Sequence, residues 1–323
     1  MLGLLPVAVV LAICIRDATA WVGRPFPGFL FLDSRIVVSI GRATWRSPSQ
    51  RRIEWGLITA VDGKPVTTAA AVHEAATSAG VGGEVTYTLR QGADVFRVAV
   101  PVRRFTWGDF AEVFAPMLAV GAWIVAVGAA LVVRRPGLAE ARAALAVCVA
   151  IGLALITGPD QYGPYRLTWL FFLSLAMVPP AVLQLTAAFL WWPSRWRGRI
   201  VAAVYVIFAA LGGALAARRS DPALFLTLLY IVYCALANAL LVYMGTLTSA
   251  LVSGHRFRPQ IALALTGALV PAAVAIVVFV TYPLRTEPVS VPWFIVPMGL
   301  WPLLHAIALV KLAEPPPAAR MAS

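Results

Sequence analysis

Long apolar stretches dominate the chain after residue 114, and a polar island rich in strand-forming residues precedes them. Seven of these stretches contain no Lys, Arg, Asp or Glu. A helix that crosses the hydrocarbon core of a bilayer needs about 17–25 mostly apolar residues. The pattern therefore predicts a seven-helix transmembrane bundle within residues 108–312, with helices at Ala115–Val133, Ala143–Thr157, Leu167–Pro193, Ile200–Ala217, Ala223–Val252, Gln260–Pro283 and Val289–Val310.

The N-terminus, residues 1–20, supports two interpretations. Leu2–Ile15 is apolar, and its length suits the hydrophobic region of a signal peptide, while Ala18-Thr19-Ala20 resembles a signal-peptidase site. The same segment also suits a short helix that is kept as a membrane anchor. Both interpretations leave the polar island on the same side of the membrane.

The island, residues 21–107, combines short strand patterns with one helix pattern. The Ala-rich run Thr67–Ser78 opens on threonines that can cap a helix. Gly and Pro at Asp62–Pro65, and Gly in Gln91–Asp94, predict turns. Runs rich in β-branched residues predict strands at Arg35–Ile40, Leu57–Val61, Glu84–Arg90 and Val95–Val102. The fold class that follows is an α-helical polytopic membrane protein of 7–8 transmembrane helices with a small inserted α/β domain.

Composition supports an integral membrane protein. Of the 323 residues, 61% are apolar and 12% are charged, and the mean hydropathy is +0.84. Soluble domains carry about a quarter charged residues. The net charge of +12 does not indicate nucleic acid binding, because the basic residues gather in loops between the apolar stretches.

The distribution of Lys and Arg predicts an orientation. The loops after the first, third and fifth stretches, and the segment after the seventh, are richer in Lys and Arg than the loops between them. This is the positive-inside pattern. We therefore expect the island on the outer side of the membrane, and the C-terminus, with the short Pro-rich tail 313–323, in the cytoplasm. The pair Arg218–Arg219 is the exception, because it lies in a loop that is predicted to face outward.

The order of elements in the island resembles a PDZ domain. The run Gly56–Val66, GLITAVDGKPV, looks like the family's strand and turn, and a helix and a final hairpin follow in the family's order. The resemblance covers roughly residues 26–104, although the usual Gly-Asp step before the strand is missing. It implies that an extended peptide or protein ligand binds by strand addition, with backbone amides holding a terminal carboxylate.

The resemblance places a peptide-binding site on two segments. Pro27–Phe31 is the candidate carboxylate loop, in which Gly28 lets the backbone approach a ligand while Phe29, Leu30 and Phe31 border the ligand, the two Phe rings lining an apolar pocket. His73 would face the groove from the helix. The alternatives are an interfacial aromatic belt for the phenylalanines and a solvated helix position for His73.

The whole layout resembles the input half of bacterial membrane sensor histidine kinases of the competence-pheromone receptor type. Local similarity lies in Met177–Phe189, Arg256–Pro271 and Pro302–Leu312. Such sensors continue into a kinase, whereas this chain continues into Ala313–Pro317, whose three prolines stop a helix. The resemblance implies that a separate cytoplasmic kinase or other output protein is the partner.

Polar side chains within the apolar stretches are few, and Gln184, Asn238 and His305 stand out. Polar groups in a membrane are functional candidates, and interhelical hydrogen bonds explain them equally well. Because the stretches contain no charged residue, they do not indicate an ion-coupled transporter.

The sequence predicts no catalytic residue, no metal site and no cofactor. An intramembrane metalloprotease needs His-Glu-x-x-His, and none of the chain's three histidines has that context. Cys14, Cys148 and Cys234 all lie in apolar stretches, which favours packed thiols over a disulfide framework.

We therefore expect a signal-input protein that senses an extracytoplasmic peptide, lipid or envelope protein and passes the signal to a cytoplasmic partner. The alternative is a scaffold that tethers envelope proteins without signalling. Membrane lipid is an expected partner in both cases, and the sequence does not fix the oligomeric state.

Overall fold

Helices make up most of the chain, and a small sheet-containing domain lies between the first helix and the bundle. A computed structural model of the chain describes residues 5–39, 45, 53–189, 194–219, 221–253, 260–269, 273 and 291–312. Helix α1, Leu5–Thr19, precedes the domain. Its 15 residues are mostly apolar, as either an anchor or a signal peptide requires.

The described residues of the domain form eight short strands and one helix. Helix α2, Ala69–Ala79, begins after Thr68, whose hydroxyl accepts a hydrogen bond from the backbone N–H of Ala71. The strands are β1 Pro25–Phe26, β2 Leu30–Phe31, β3 Val37–Ser39, β4 Leu57–Val61, β5 Lys64–Pro65, β6 Glu84–Gln91, β7 Asp94–Pro101 and β8 Arg103–Arg104. Three antiparallel sheets result, with the orders β1-β8, β2-β3 and β5-β4-β6-β7.

The strands and helix of the domain confirm the predicted secondary structure to within a few residues. The turn between β4 and β5 contains Asp62 and Gly63 at φ +48° and +78°, a left-handed pair that suits a two-residue hairpin. Gly92, at φ +62°, turns β6 into β7. The strand predicted at Arg35–Ile40 corresponds to β3, Val37–Ser39. Ile40, the last residue of the prediction, lies outside the described residues.

Among its described residues, the bundle contains five helices that are long and apolar enough to cross a bilayer. The second of these helices is α5, Ala139–Thr157, and a 3₁₀ turn, Gly158–Tyr162, continues directly from it. Together they form one candidate membrane span. The five helices are α4 Ala115–Arg134, α5 Ala139–Thr157, α6 Thr168–Phe189, α7 Ser194–Ala217 and α8 Pro222–Val252.

The remaining two predicted spans are described in part. Helix α9, Gln260–Leu269, covers the start of the predicted Gln260–Pro283 span, whose remainder lies almost wholly outside the described residues. The predicted Val289–Val310 span corresponds to a 3₁₀ segment, Val291–Gly299, followed by α10, Leu300–Leu312. The chain is thus mostly helical, with five full-length apolar helices and two shorter ones among the described residues.

Glycines allow α4 and α5 to pack backbone against backbone. A methyl group on Gly121 would lie 2.8 Å from the carbonyl oxygen of Gly152, and one on Gly128 would lie 2.6 Å from the Cβ of Cys148. Small residues at helix interfaces are typical of membrane bundles, where close packing replaces the hydrophobic effect as the stabilising interaction. The core of the bundle is built around this pair.

Helix α3, Trp107–Val113, joins the domain to the bundle. Thr106 and Asp109 form a capping box at its start, and the second carboxylate oxygen of Asp109 accepts a hydrogen bond of 3.1 Å from the indole of Trp45. Asp109 is buried, and these hydrogen bonds compensate for the loss of hydration. The domain therefore continues into α4 through a fixed helix.

The loops between helices meet the domain at one end of the bundle. Arg219, after α7, forms an ion pair of 2.5 Å with Asp33 of the domain. At the opposite end, the Arg135 guanidinium donates a hydrogen bond to the carbonyl oxygen of Val310, near the end of α10. The Arg218–Arg219 pair, which did not fit the predicted loop charges, thus has an acidic partner in the domain.

Candidate ligand site between the domain and the bundle

The candidate carboxylate loop packs inside the domain. Phe29, Leu30 and Phe31 are 1%, 2% and 0% exposed, and the Phe29 ring meets Tyr87 edge to face. The phenylalanines are therefore core residues of the domain, and the alternative of an interfacial belt is wrong for them. Their burial also means that their side chains line no open groove in this conformation.

Gly28 has a conformational role. Its φ is +81°, and a methyl group there would lie 3.3 Å from Val100 and 3.5 Å from the carbonyl oxygen of Pro101. A residue with a side chain would be strained by the backbone angle and would press against β7. Gly28 thus lets the chain pass close to β7 before it enters β2.

His73 lies on α2 between the domain and the bundle. Its ring is 4.6 Å from the Phe31 ring centroid and 5.7 Å from that of Trp21. Its Nε2 lies 3.3 Å from the hydroxyl oxygen of Tyr165, which belongs to the loop between α5 and α6. His73 is therefore half-buried among aromatic rings, with one side toward the bundle loop.

Burial shifts the ionisation of both partners toward their neutral forms. Desolvation lowers the pKa of His73 to about 4, and a hydrogen bond with the Tyr162 backbone opposes this shift only in part. Desolvation raises the pKa of Tyr165 well above its ordinary value, with the charges of Asp33 and Asp160 adding to the effect. At neutral pH the contact is one between an uncharged imidazole and an uncharged phenol.

The loop between α5 and α6, residues 158–167, has a defined internal structure. The Asp160 carboxylate accepts hydrogen bonds from the backbone N–H groups of Arg166 (3.2 Å) and Leu167 (2.7 Å), at the entry to α6. Tyr165 adopts a left-handed backbone with φ +55°, and its N–H donates to the carbonyl oxygen of Asp160. The carboxylate therefore folds the loop back so that Tyr165 faces α2.

Trp21 fills the space where α1, α2, α4 and this loop converge. Its ring makes edge contacts with Phe105 and Phe114 at 5.5 and 5.7 Å. A methyl group on Gly163 would lie 2.6 Å from the Trp21 Nε1, so the loop backbone rests directly on the indole. The indole thereby fixes the distance between the domain and the loop.

A partly enclosed cavity of about 590 Å³ opens beside this contact. Asp17 contributes a carboxylate that is 13% exposed and forms ion pairs with Arg16 at 2.8 Å and with Arg166 at 3.8 Å. The polar and aromatic side chains around the cavity are those of Asp17, Trp21, Arg24, His73, Thr77 and Arg166. The cavity is large enough for a small molecule or a few residues of a peptide.

The intramembrane polar residues lie at three separate places. Gln184 accepts a hydrogen bond of 2.7 Å from the Tyr205 hydroxyl, which joins α6 to α7. Asn238 donates to the carbonyl oxygen of Cys234 within its own helix and is exposed. Among the three predicted intramembrane residues, only Gln184 and His305 connect helices.

His305 joins α8 to α10. Its Nδ1 lies 2.9 Å from the Tyr243 hydroxyl, and the Trp301 ring stacks on it with centroids 5.7 Å apart. His305 is 1% exposed. These contacts belong to interhelical packing, which was one of the two interpretations of the sequence.

Sequence reasoning did not identify Trp21, Asp160 or Tyr165, although all three border the site. The segment Tyr162-Gly163-Pro164-Tyr165 carries a turn signal between two aromatic residues, which was the available clue. Its partner on α2 is distant in sequence, and no local periodicity reveals such a contact. Within the described ranges, no group of three His, Cys, Asp or Glu side chains is arranged to hold a metal ion.

No protein-family model, curated protein or solved structure matches the chain. The coarse class of the protein therefore follows from its own features, which are a helical chain with five apolar helices of membrane-spanning length and a small sheet-containing domain. The geometry between the domain and the bundle is the basis for a functional proposal.

Proposed function

We propose that the protein is a signal-input component of a bacterial inner membrane. Its PDZ-like domain binds an extracytoplasmic peptide, lipid or envelope protein, and the bundle relays binding to a separate cytoplasmic partner. The observation that carries the proposal is the contact between His73 on α2 and Tyr165 in the bundle. This contact joins the domain directly to a loop of the bundle, so a change in the domain can reach the helices that the loop connects.

The order of elements supports the PDZ-like assignment. Strand β4, the Asp62–Gly63 turn, α2 and the β6–β7 hairpin follow one another as the resemblance implies. The segment Pro27–Phe31 precedes β3 and contacts α2 through Phe31 and His73. The groove of a PDZ-like domain would therefore run between β2 and α2, and the cavity lies beside α2 at His73 and Thr77.

The route of the relay starts at the loop 158–167. Tyr165 contacts the domain, and Asp160 holds the backbone at the start of α6 through the N–H groups of Arg166 and Leu167. A ligand that moves Tyr165 would therefore act on the junction of α5 and α6. The far ends of α4 and α10 meet at Arg135 and Val310, where a cytoplasmic partner would read the change.

The positive-inside pattern supports the orientation in this proposal. Arg134 ends α4 and Arg135 follows it, and Arg195, Arg197 and Arg199 lie in the first two turns of α7, directly after the α6–α7 connection. Arg219, on the opposite set of loops, is neutralised by Asp33 of the domain. Because Arg219 pairs with a carboxylate of the domain, its position in a loop on the domain's side of the membrane is consistent with the proposed orientation.

A fluorescent probe at the far end of the bundle tests the relay. Gly137, between α4 and α5, has no atom within 4 Å of its Cβ position, so Gly137→Cys provides an attachment point. Cys14 and Cys148 are buried, and Cys234→Ala removes the more accessible thiol. An environment-sensitive fluorophore on Gly137→Cys is measured in nanodiscs with Tyr165 intact and with Tyr165→Ala.

Sensing predicts that Tyr165→Ala changes the emission of the probe at residue 137. Tyr230→Ala is the matched control, because Tyr230 is 69% exposed on α8 and does not touch the domain in the described chain. Identical emission in the wild type, Tyr165→Ala and Tyr230→Ala would contradict the relay and favour a scaffold that binds without signalling.

A further inference from the structure

The loop 158–167 lies against both elements that would form a peptide groove. Its 3₁₀ turn contacts β2, and Tyr165 contacts His73 on α2. The Tyr162 backbone forms a second hydrogen bond with the His73 ring. A segment of the bundle therefore occupies the place where an extended ligand would bind.

The contact has the chemistry of ligand recognition. A phenol meets an imidazole at 3.3 Å, both residues are half-buried, and the rings of Phe31 and Trp21 pack against the imidazole. In contrast, the domain core is apolar at Phe29, Phe31 and Val72. The polar contact at the surface of that core provides orientation and specificity, as polar groups do in ligand sites.

The loop is held in a conformation that is unfavourable on its own. Tyr165 has φ +55°, a region that residues with side chains rarely adopt because it is sterically unfavourable. The Asp160 hydrogen bonds and the contact with His73 offset this cost. Loss of the His73 contact would remove part of this compensation and weaken the observed loop conformation.

We propose that the loop 158–167 is an internal ligand of the PDZ-like domain. The external ligand is an extended peptide that carries a phenol or similar hydroxyl-bearing side chain, which takes the place of Tyr165 at His73. The inference rests on the proposed function for the identity of the groove, and it names both the ligand chemistry and the means of regulation. Binding displaces the loop, and displacement is the signal.

The cavity provides the point of entry. It adjoins His73 and Thr77 of α2 on one side and Gly163, Pro164 and Arg166 of the loop on the other, so its walls belong both to α2 and to the loop. A peptide that enters there meets α2 beside the loop. Because the loop belongs to the same chain, an external peptide competes against an intramolecular contact.

A peptide that copies the loop is the probe for this proposal. The peptide of residues 158–168, GPDQYGPYRLT, is synthesised with a fluorescent label, and its binding to the full chain in nanodiscs is measured by anisotropy. An opened variant combines Gly163→Val, which cannot fit against Trp21, with Tyr165→Ala. Tyr165→Phe, which removes only the hydroxyl, is the milder second variant.

The proposal predicts that the opened variant binds the peptide at least tenfold more tightly than the wild type. Adding His73→Ala to the opened variant should remove this gain, and Tyr165→Phe should show a smaller gain than the opened variant. A peptide that is Ala at the position of Tyr165 should bind no more tightly to the opened variant than to the wild type. Tyr230→Ala should bind like the wild type.

Equal binding to the wild type, the opened variant and Tyr165→Phe, or no binding to any of them, would overturn the proposal. In that case the loop is a fixed structural contact between the domain and the bundle, and no ligand displaces it. Failure of this proposal can be distinguished from failure of the proposed relay, because the anisotropy measurement does not use the probe at residue 137. Tighter peptide binding with an unresponsive probe at residue 137 would retain the internal ligand and remove the sensing function.

Discussion

The imidazole of His73 and the phenol of Tyr165 meet at 3.3 Å, although 92 residues separate them in the chain. The contact joins a helix of the small domain to a loop of the helical bundle. Both groups are uncharged at neutral pH because burial lowers the pKa of His73 to about 4 and raises that of Tyr165. The stability of this junction therefore depends on pH.

Acidification should loosen the junction. The pKa of His73 in the folded protein, about 4, is below the value of about 6.5 in an unfolded chain. Its contribution to stability is complete above pH 6.5 and is lost as the pH falls toward 4. The loss amounts to about 3 kcal/mol at most. Hydrogen exchange of Ala69–Ala79 should thus be faster at pH 4.5 than at pH 7.5, after correction for intrinsic rates.

His73→Asn is the control for the pH effect, since it keeps a polar side chain but does not titrate. The variant should show a smaller change in α2 exchange between the two pH values than the wild type. Asp17, Arg24 and Arg166 line the same cavity and are present in both proteins. An equal change in the variant and the wild type would show that His73 is not the group responsible.

Gly163→Ala should displace the loop from Trp21. A methyl group would lie 2.6 Å from the indole Nε1, and overpacking of this kind costs about 1–3 kcal/mol. We expect a lower thermal midpoint and faster hydrogen exchange in residues 158–167. Gly137→Ala, also in a loop but with nothing within 4 Å, should leave both quantities unchanged. A normal midpoint for Gly163→Ala would show that Trp21 does not support the loop.

Asp33 and Arg219 should show a small, salt-dependent coupling. Their side chains are 29% and 40% exposed, and ion pairs near the surface contribute about 0.2–1 kcal/mol. Arg219→Asp should lower the thermal midpoint through repulsion, and the double exchange Asp33→Arg with Arg219→Asp should restore part of it. If the double variant is no more stable than the two single changes predict by addition, the pair is not coupled.

Gly152→Val should separate α4 from α5. A side chain at this position would meet the carbonyl oxygen of Gly121 at 2.8 Å, and backbone cannot move aside as a flexible side chain can. We expect a loss of about 1–3 kcal/mol, measured as a shift in unfolding midpoint in detergent. Gly213→Val is the control, because nothing lies within 4 Å of Gly213 on α7.

Local structure followed closely from the sequence. Strand β4 has the predicted bounds, Leu57–Val61, because a β-rich run ends at the Asp62–Gly63 turn. Helices α4 and α8 have bounds within a residue of those predicted, since the charge-free stretches are bounded by Arg134 and Asp221. Features that depend on period and on turn residues are encoded locally.

Long-range contacts did not follow from the sequence. Phe29 and Phe31 lie in an aromatic segment, and such segments occur in domain cores, in ligand grooves and at membrane interfaces. Only the three-dimensional packing shows which of these environments the two side chains occupy. Arg219 did not fit the predicted loop charges, and its partner Asp33 could not be predicted because it is 186 residues away in the chain. Tyr165 was overlooked for the same reason, since its role is defined by His73.

The most direct test of the central claim measures on which side of the membrane the two ends of the bundle lie. Val95→Cys places a thiol on β7, where the side chain is 64% exposed, and Gly137→Cys places one in the loop between α4 and α5. Each variant, in a background with Cys234→Ala, is treated in spheroplasts with a membrane-impermeant maleimide. An outward domain that signals inward predicts that Val95→Cys is labelled at once and Gly137→Cys only after permeabilisation. Labelling of both before permeabilisation, or of Gly137→Cys alone, would contradict the account.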